Sequence, residues 1–263
     1  MDAYGICPLS QIPIRETISH SSELVSQFLF GDIFHIEDKY QNWLKVESCF
    51  DHFQGWVDEK QIKILKPESV QAFQQDSTQV FIGDFSAVVE RATDHALFSV
   101  GMGSRLPLYE NGNFKIGEIP YKYTGKTIQP LTDPIKRQQQ IVQNASTLLY
   151  TPYLWGGKSV FGTDCSGFTQ LIYRISGITL SRNASEQAMQ GKTVLLLNEA
   201  QVGDLLFFDN ENGDIVHVGI YLSDNRIIHA SGYVRIDPVD HQGIFKQEIS
   251  EYTHNLRLIK RMI

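Results

Sequence analysis

Short apolar runs separated by turn residues dominate the first half of the chain. Ile33-Phe34-His35-Ile36 and Trp43-Leu44-Lys45-Val46 read as strands, with Gly31-Asp32 and Gln54-Gly55 marking turns. Gly55-Trp56-Val57 closes a strand pattern with a large aromatic residue. Over residues 1–65 this texture predicts a small all-β barrel. Further strand patterns follow at Val80-Phe81-Ile82, Ala87-Val88-Val89, Arg105 to Tyr109 and Phe114 to Ile116. Asn111-Gly112-Asn113 between the last two is a hairpin turn signal. Residues 66–127 therefore read as a second small β domain, and Pro130 to Pro134 as a linker.

From Asp133 the pattern becomes helical. Ile135 to Leu149 carries Ile141, Val142, Ala145, Leu148 and Leu149 at helical spacing. An aromatic-rich loop, Tyr150 to Gly157, follows, and a second helix begins near Cys165. Strands are expected at Asp204 to Asp209, Val216 to Leu222 and Ile227 to Ala230. Residues 130–263 thus read as α+β. There is no internal repeat of short period and no low-complexity tract.

The second helix carries the first candidate for chemistry. Phe168, Leu171, Ile172 and Ile175 place one apolar face on a core, and Asp164 or Thr163 suits the N-cap. Cys165 then stands in the first turn, where unpaired amides and the helix macrodipole favour thiolate over thiol. The same amides can stabilise an oxyanion forming beside the sulfur. A buried core cysteine is the competing reading of this residue alone.

The strand pair after it supplies the partners. His217 alternates with Val216 and Val218, and His229 shares a strand face with Ile227. If Ser223-Asp224-Asn225 is the loop, Leu222 pairs with Arg226 and His229 faces Gly219, with His217 diagonal to His229. A half-step earlier, the two histidines face each other directly. Either register brings the imidazoles within reach. One can take the thiol proton while the other fixes its orientation. Zinc bound by one cysteine and two histidines is the rival, for which no fourth ligand is apparent. His20, His35, His52, His95, His241 and His254 have no such context and read as surface or structural residues.

Composition narrows the class. The 263 residues are 42% hydrophobic and carry a formal net charge of −7, without a basic block. That argues against nucleic-acid or anionic-membrane partners, which need a basic face. Cys7, Cys49 and Cys165 are far apart, so no disulfide framework is suggested. The N-terminus lacks the basic and apolar regions of a leader, and no apolar run is long enough to span a membrane. The expectation is a cytoplasmic protein without metal or cofactor.

Five segments then occur in order: Tyr153-Leu154-Trp155-Gly156-Gly157, Asp164-Cys165-Ser166-Gly167-Phe168, Gly203 to Phe208, His217-Val218-Gly219-Ile220-Tyr221 and Ile228-His229-Ala230. Together they resemble an NlpC/p60 cell-wall peptidase domain, with a papain-like core, over residues 130–263. Residues 1–65 resemble a bacterial SH3-like domain at Phe30-Gly31-Asp32, Asn42-Trp43 and Gly55-Trp56-Val57, and residues 66–127 would be a second. The implied fold is α+β, a papain-like catalytic domain preceded by small all-β SH3-like barrels. The resemblance implies Cys165 as nucleophile, His217 as general base and His229 as the third polar member.

The architecture is similar to that of γ-D-glutamyl-L-diamino-acid endopeptidases. These cut the γ-D-Glu–diaminopimelate bond of murein peptides with a free N-terminal L-Ala. In that group Asp164 and Ser166 are implied to help hold the peptide amine, and Tyr153 and Trp155 to line the subsites. The segment Ser181 to Gln187, with Ser185 in it, resembles one that contacts the D-Glu carboxylate. Asn183 stands where the family often has Asp. Phe53 stands where a Tyr is expected, which turns attention to Glu16 or Asp51 for the amine. The resemblance implies small murein peptides as partners, in wall-peptide recycling, with no obligate protein partner. A papain-like amidase or acyltransferase remains the alternative. A noncatalytic wall-peptide-binding protein is another, against which the intact Cys165, His217 and His229 argue.

Overall fold

Alternation in the first sixty residues builds an antiparallel sheet with one buried face. Ile12 and Ile14 of the Gln11–Arg15 strand, and Leu44 and Val46 of Trp43–Ser48, point into a core with Phe28, Phe34 and Val57. Phe28 and Phe34 stack with centroids 4.5 Å apart. In this computed structural model, which describes residues 3–76 and 78–263, the chain forms two compact units. The first comprises residues 1–130 together with 155–160, and the second holds the rest.

The first unit contains a seven-stranded sheet drawn from residues 3–64 and a four-stranded sheet of Ser86–Arg91, Ala96–Gly101, Asn113–Ile116 and Ile119–Lys122. A second core gathers Phe30, Val80, Ile82, Val89, Val100, Leu106, Phe114 and Tyr121. Asn111 and Gly112 both take positive φ, 49° and 85°, in the expected tight turn.

Three local expectations change. Gln54-Gly55 opens the Gln54–Asp58 strand, and the turn lies earlier, where His52 has φ 59°. Gly55 is there for close approach, since a Cβ would stand 2.4 Å from Ile14 Cγ2. Arg105 to Tyr109 is not a strand: Arg105 makes one bridge to Phe81, and Leu108 at φ 56° breaks the extension. Finally, Pro67–Gln75 is a helix in a region read as all-β. Pro stands in its first turn, where the missing N–H costs nothing, and Phe73 is buried.

Residues 155–160 leave the aromatic loop to join the first unit. Lys158 N–H donates to Gln27 Oε1 at 2.9 Å. Gly156, at φ 75°, lies where a Cβ would fall 2.0 Å from the Leu24 carbonyl oxygen.

The second unit is one antiparallel sheet with helices. Helix α1 (Pro134–Thr147) is capped by Asp133, which accepts from Lys136 N–H at 2.8 Å. Helices α2 (Cys165–Arg174) and α3 (Ala184–Gln187) follow. The strands are β1 (Lys192–Val194), β2 (Leu205–Asp209), β3 (Ile215–Tyr221), β4 (Arg226–Ser231), β5 (Tyr233–Pro238), β6 (Gly243–Lys246) and β7 (Glu251–Arg261). Their order is β1-β7-β2-β3-β4-β5, with β6 on β7. Leu205 to Phe208 are all fully buried, as a central strand covered on both faces requires. Among the described residues no helix is long and apolar enough to cross a membrane.

Candidate active site

Helix α2 starts on a braced carboxylate. Asp164 Oδ1 accepts from Gly167 N–H at 2.7 Å, the N-cap bond. Arg182 closes on the same group, Nη1 donating to Oδ1 at 3.0 Å and Nη2 to Oδ2 at 2.6 Å. Nη1 also donates to Ser166 Oγ at 2.9 Å. Gln187 Nε2 donates to the Ser166 carbonyl at 3.0 Å, and its Oε1 accepts from Thr169 Oγ1 at 2.8 Å. The segment 181–187 therefore fixes the turn that presents Cys165, and every one of the ten residues of α2 is buried.

The β3–β4 hairpin takes the register in which Gly219 faces His229 and Tyr221 faces Ile227. His217 is diagonal to His229, and His217 Nε2 lies 2.8 Å from His229 Nδ1. The next pairing repeats the diagonal step. Ile227 faces Asp237 and His229 faces Arg235, so Asp237 reaches back to put Oδ2 2.9 Å from His229 Nε2. Arg235 Nη2 donates to Asp237 Oδ1 at 2.7 Å and to Glu248 Oε1 at 2.6 Å. From the other side β7 brings in His254, whose ring centroid is 4.2 Å from that of His217 at a 35° tilt.

Helix α2 packs against β3 and β4. The backbone of Val218, the residue after His217, is close enough to the Cys165 sulfur to favour its thiolate, as is that of Ser166. Burial outweighs them: it pushes the thiol up to about 12, with the Asp164 charge adding to the effect. Burial, and then His229 and His254, hold His217 well below the usual imidazole range. Burial lowers His229 too, against the pull of Asp237. It brings His254 down to about 4. For Asp237 burial works upward, but His229 and Arg235 outweigh it and leave its carboxyl below the usual range. At neutral pH the cluster rests as a thiol, neutral imidazoles and a carboxylate clamped by Arg235. The helix start alone pointed to a thiolate; the lack of solvent around the sulfur reverses that.

Tyr153, His217, His254 and the Ala230-Ser231-Gly232 turn line a cleft of about 280 Å³. Burial raises the Tyr153 phenol to about 12, with Cys165 and Asp164 contributing, which places it near both. Of the residues singled out in the sequence, Cys165, His217, His229, Tyr153, Asp164 and Ser166 are gathered here. Ser185 is exposed on α3, with Asn183 at the N-cap. Trp155 belongs to the first unit, where its indole N–H donates to Glu23. Phe53, also in the first unit, packs against the apolar core. Asp164 and Ser166 face Arg182, so their carboxylate and hydroxyl hold the helix start.

His254, Asp237, Arg235 and Arg182 are residues whose part in the site the sequence reading did not give. His254, taken as surface or structural, lies on His217. Asp237 carried a signal: Tyr233-Val234-Arg235-Ile236-Asp237 after Gly232 continues the meander, and its register follows by the same counting as for β3 and β4. Arg182 is the internal cation that Asp164 needs once buried. Among the described residues no group of three or more His, Cys, Asp or Glu side chains is arranged to hold a metal ion. The arrangement is suited to nucleophilic attack by sulfur with imidazole taking its proton.

Comparison with known proteins agrees with this chemistry. The family model described as NlpC/P60 family matches residues 150–253, and that described as bacterial dipeptidyl-peptidase SH3 domain matches residues 14–62. A γ-D-glutamyl-L-lysine dipeptidyl-peptidase of Bacillus subtilis (strain 168) is 32% identical over 222 residues, covering 78% of this chain and 71% of that protein. A protein of the same name from Bacillus cereus is 28% identical over 255 residues, covering 88% and 75%. The crystal structure of an NlpC/P60 family protein from Bacillus cereus ATCC 10987 superposes with a TM-score of 0.82 over 98% of this chain and 99% of that one, at 22% identity, a likeness of fold.

Proposed function

The chain belongs to the NlpC/P60 family of cysteine peptidases, and on that premise we propose that it hydrolyses the γ-D-Glu–L-diamino acid bond of short murein peptides bearing a free N-terminal L-Ala. The observation that carries the catalytic part is the 2.8 Å contact of His217 with His229 on the strand that packs against the Cys165 helix. His217 Nε2 is engaged by His229, which leaves Nδ1 for the thiol. In this reading His217 Nδ1 takes the Cys165 proton as the sulfur attacks the γ-carbonyl carbon. The oxyanion forms against the amides at the start of α2. The tetrahedral adduct collapses as His217 returns the proton to the leaving amine, giving a thioester. Water, deprotonated by His217, then attacks the thioester carbon, and the sulfur departs, taking that proton back from His217 to restore the thiol.

The bond and the free amine are supported by the names of the relatives, which specify L-lysine as the diamino acid, and by the match to a bacterial dipeptidyl-peptidase SH3 domain; diaminopimelate at that position and wall-peptide recycling as the setting belong to the proposal alone. The test is incubation with tri-, tetra- and pentapeptides, free and N-acetylated, followed by mass detection. The expected result is cleavage after D-Glu in the free peptides only, lost in Cys165→Ala. An enzyme that leaves L-Ala-γ-D-Glu-diaminopimelate intact but opens whole sacculi overturns the substrate assignment.

A further inference from the structure

The His217–His229 contact has two possible hydrogen-bond directions, and only one leaves a base for Cys165. If His229 carries its proton on Nδ1, it donates to His217 Nε2, and the His217 proton must sit on Nδ1. Nothing then remains to accept the thiol proton. If His229 carries its proton on Nε2, its Nδ1 accepts from His217 Nε2–H, and His217 Nδ1 presents a lone pair.

We propose that Asp237 selects the second arrangement and is thus a positioning residue for the reaction. The inference rests on the peptidase reading above. Asp237 Oδ2 lies 2.9 Å from His229 Nε2, and both groups are buried. An ionised carboxylate only accepts hydrogen bonds, so the facing nitrogen has to be protonated. The alternative tautomer would set a lone pair against a carboxylate oxygen at that distance with no solvent between them. Arg235 keeps the carboxylate ionised and oriented, and is itself held by Glu248 and laid over the Tyr233 ring at 5.4 Å. The groups facing His229 are His217 on β3, Asp237 and Arg235 on β5 and His254 on β7, with Lys246 of β6 acting on His254. Of these, Asp237 alone accepts from His229 Nε2.

The geometry makes the relay a property of the sheet. Each partner lies one diagonal step across the next strand, so His217, His229 and Asp237 run obliquely over β3, β4 and β5. When His217 takes the thiol proton, its Nε2–H is already directed at His229 Nδ1. His229 need not turn, and its far side stays on the carboxylate.

The tautomers can be read directly, in protein labelled with ¹⁵N-histidine, by long-range ¹⁵N–¹H correlation at neutral pH. In the wild type, His217 and His229 should both be protonated on Nε2. In Asp237→Ala, His229 should populate both tautomers and His217 should follow. For peptide cleavage kcat should fall on the order of 100-fold with KM nearly unchanged, and Asp237→Glu should recover part of it. Asp237→Asn, nearly isosteric, gives the same readouts if the alanine variant does not fold. Wild-type tautomers and kcat retained in these variants overturn the role of Asp237. Because the tautomers are read on resting protein, a wild type that cleaves no peptide would count against the peptidase reading and leave this test intact.

Discussion

Arg182 meets Asp164 through both ends of its guanidinium, at 2.6 and 3.0 Å, and both side chains are buried. The pair stands between the cap of α2 and the segment that follows it. Removing the cation strands a carboxylate out of water. Arg182→Ala should therefore cost about 3–5 kcal/mol, the usual loss on breaking a buried pair. Arg182→Lys should recover only part, because an ammonium cannot match both oxygens. Trp43, Trp56 and Trp155 all lie in the first unit, so tryptophan fluorescence is the wrong probe. Labelling of the buried Cys165 along a urea series reports on the second unit, and an unchanged labelling midpoint in Arg182→Ala refutes the structural role.

The resting thiol gives a pH signature. Its folded value of about 12 exceeds the ordinary 9.0, so the unfolded chain loses this proton first. The stabilisation is fully present below about pH 9 and is lost as pH rises towards about 12, with a slope near 1.4 kcal/mol per pH unit per proton. Buried Cys7, also shifted upward, acts in the same direction. Cys165→Ser should flatten this alkaline loss by one proton, as seen in unfolding midpoints at about pH 8 and about pH 10. Alkylation of native Cys165 without substrate should be slow at neutral pH and climb with alkalinity. A rate already level from mildly acid pH would mean a preformed thiolate and overturn the resting state described above.

What the sequence disclosed and what it hid differ in range. The phase of α2 is set by residues a few positions apart and could be counted, and local counting narrowed the cap to Asp164 or Thr163 and the hairpin to two registers, of which Asp164 and the Gly219–His229 pairing form. Arg105 to Tyr109 misled because its apolar Leu106 and Leu108 say nothing of Leu108 adopting a positive φ, while Pro107 already argued against a paired strand. The helix at Pro67–Gln75 was hidden by its neighbours, since two β regions flank it. His254 was out of reach for another reason. Strand β7 pairs with β2, the partner of β3 on its other edge, and no local pattern fixes that order. A long-range pairing decided which histidine would lie on His217.

His254 should matter as a ring rather than as a base. Its face lies on His217 and limits how far that imidazole can tilt. His254→Phe should keep kcat within a few-fold, while His254→Ala should lower it about tenfold through lost alignment. His254 also has a depressed folded value, about 4 against 6.5. Its stabilisation is present above about 6.5 and is lost as pH falls towards about 4, so His254→Phe should make the acid limb of stability shallower by up to one proton. Equal activity in the Ala and Phe variants would remove the packing argument.

Gly219 faces His229 across the hairpin, and it leaves the space in which the His229 side chain stands. A Cβ there would lie 2.8 Å from His229 Cβ and 2.6 Å from Ile227 Cδ1. Gly219→Ala should cost about 1–3 kcal/mol as overpacking. It should also push His229 off the line between His217 and Asp237, lowering kcat on the order of 100-fold, since misplacement near 1 Å has that effect. The two losses can be separated. Ile227→Val removes the Cδ1 clash, the shortest, but leaves Ile227 Cγ1 and His229 Cβ, each 2.8 Å away, and no side-chain trimming relieves the latter. The double variant Gly219→Ala/Ile227→Val should regain part of the stability lost in Gly219→Ala while kcat stays low. If kcat recovers together with stability, the glycine serves packing alone, and its place opposite His229 has no part in aligning the histidine pair.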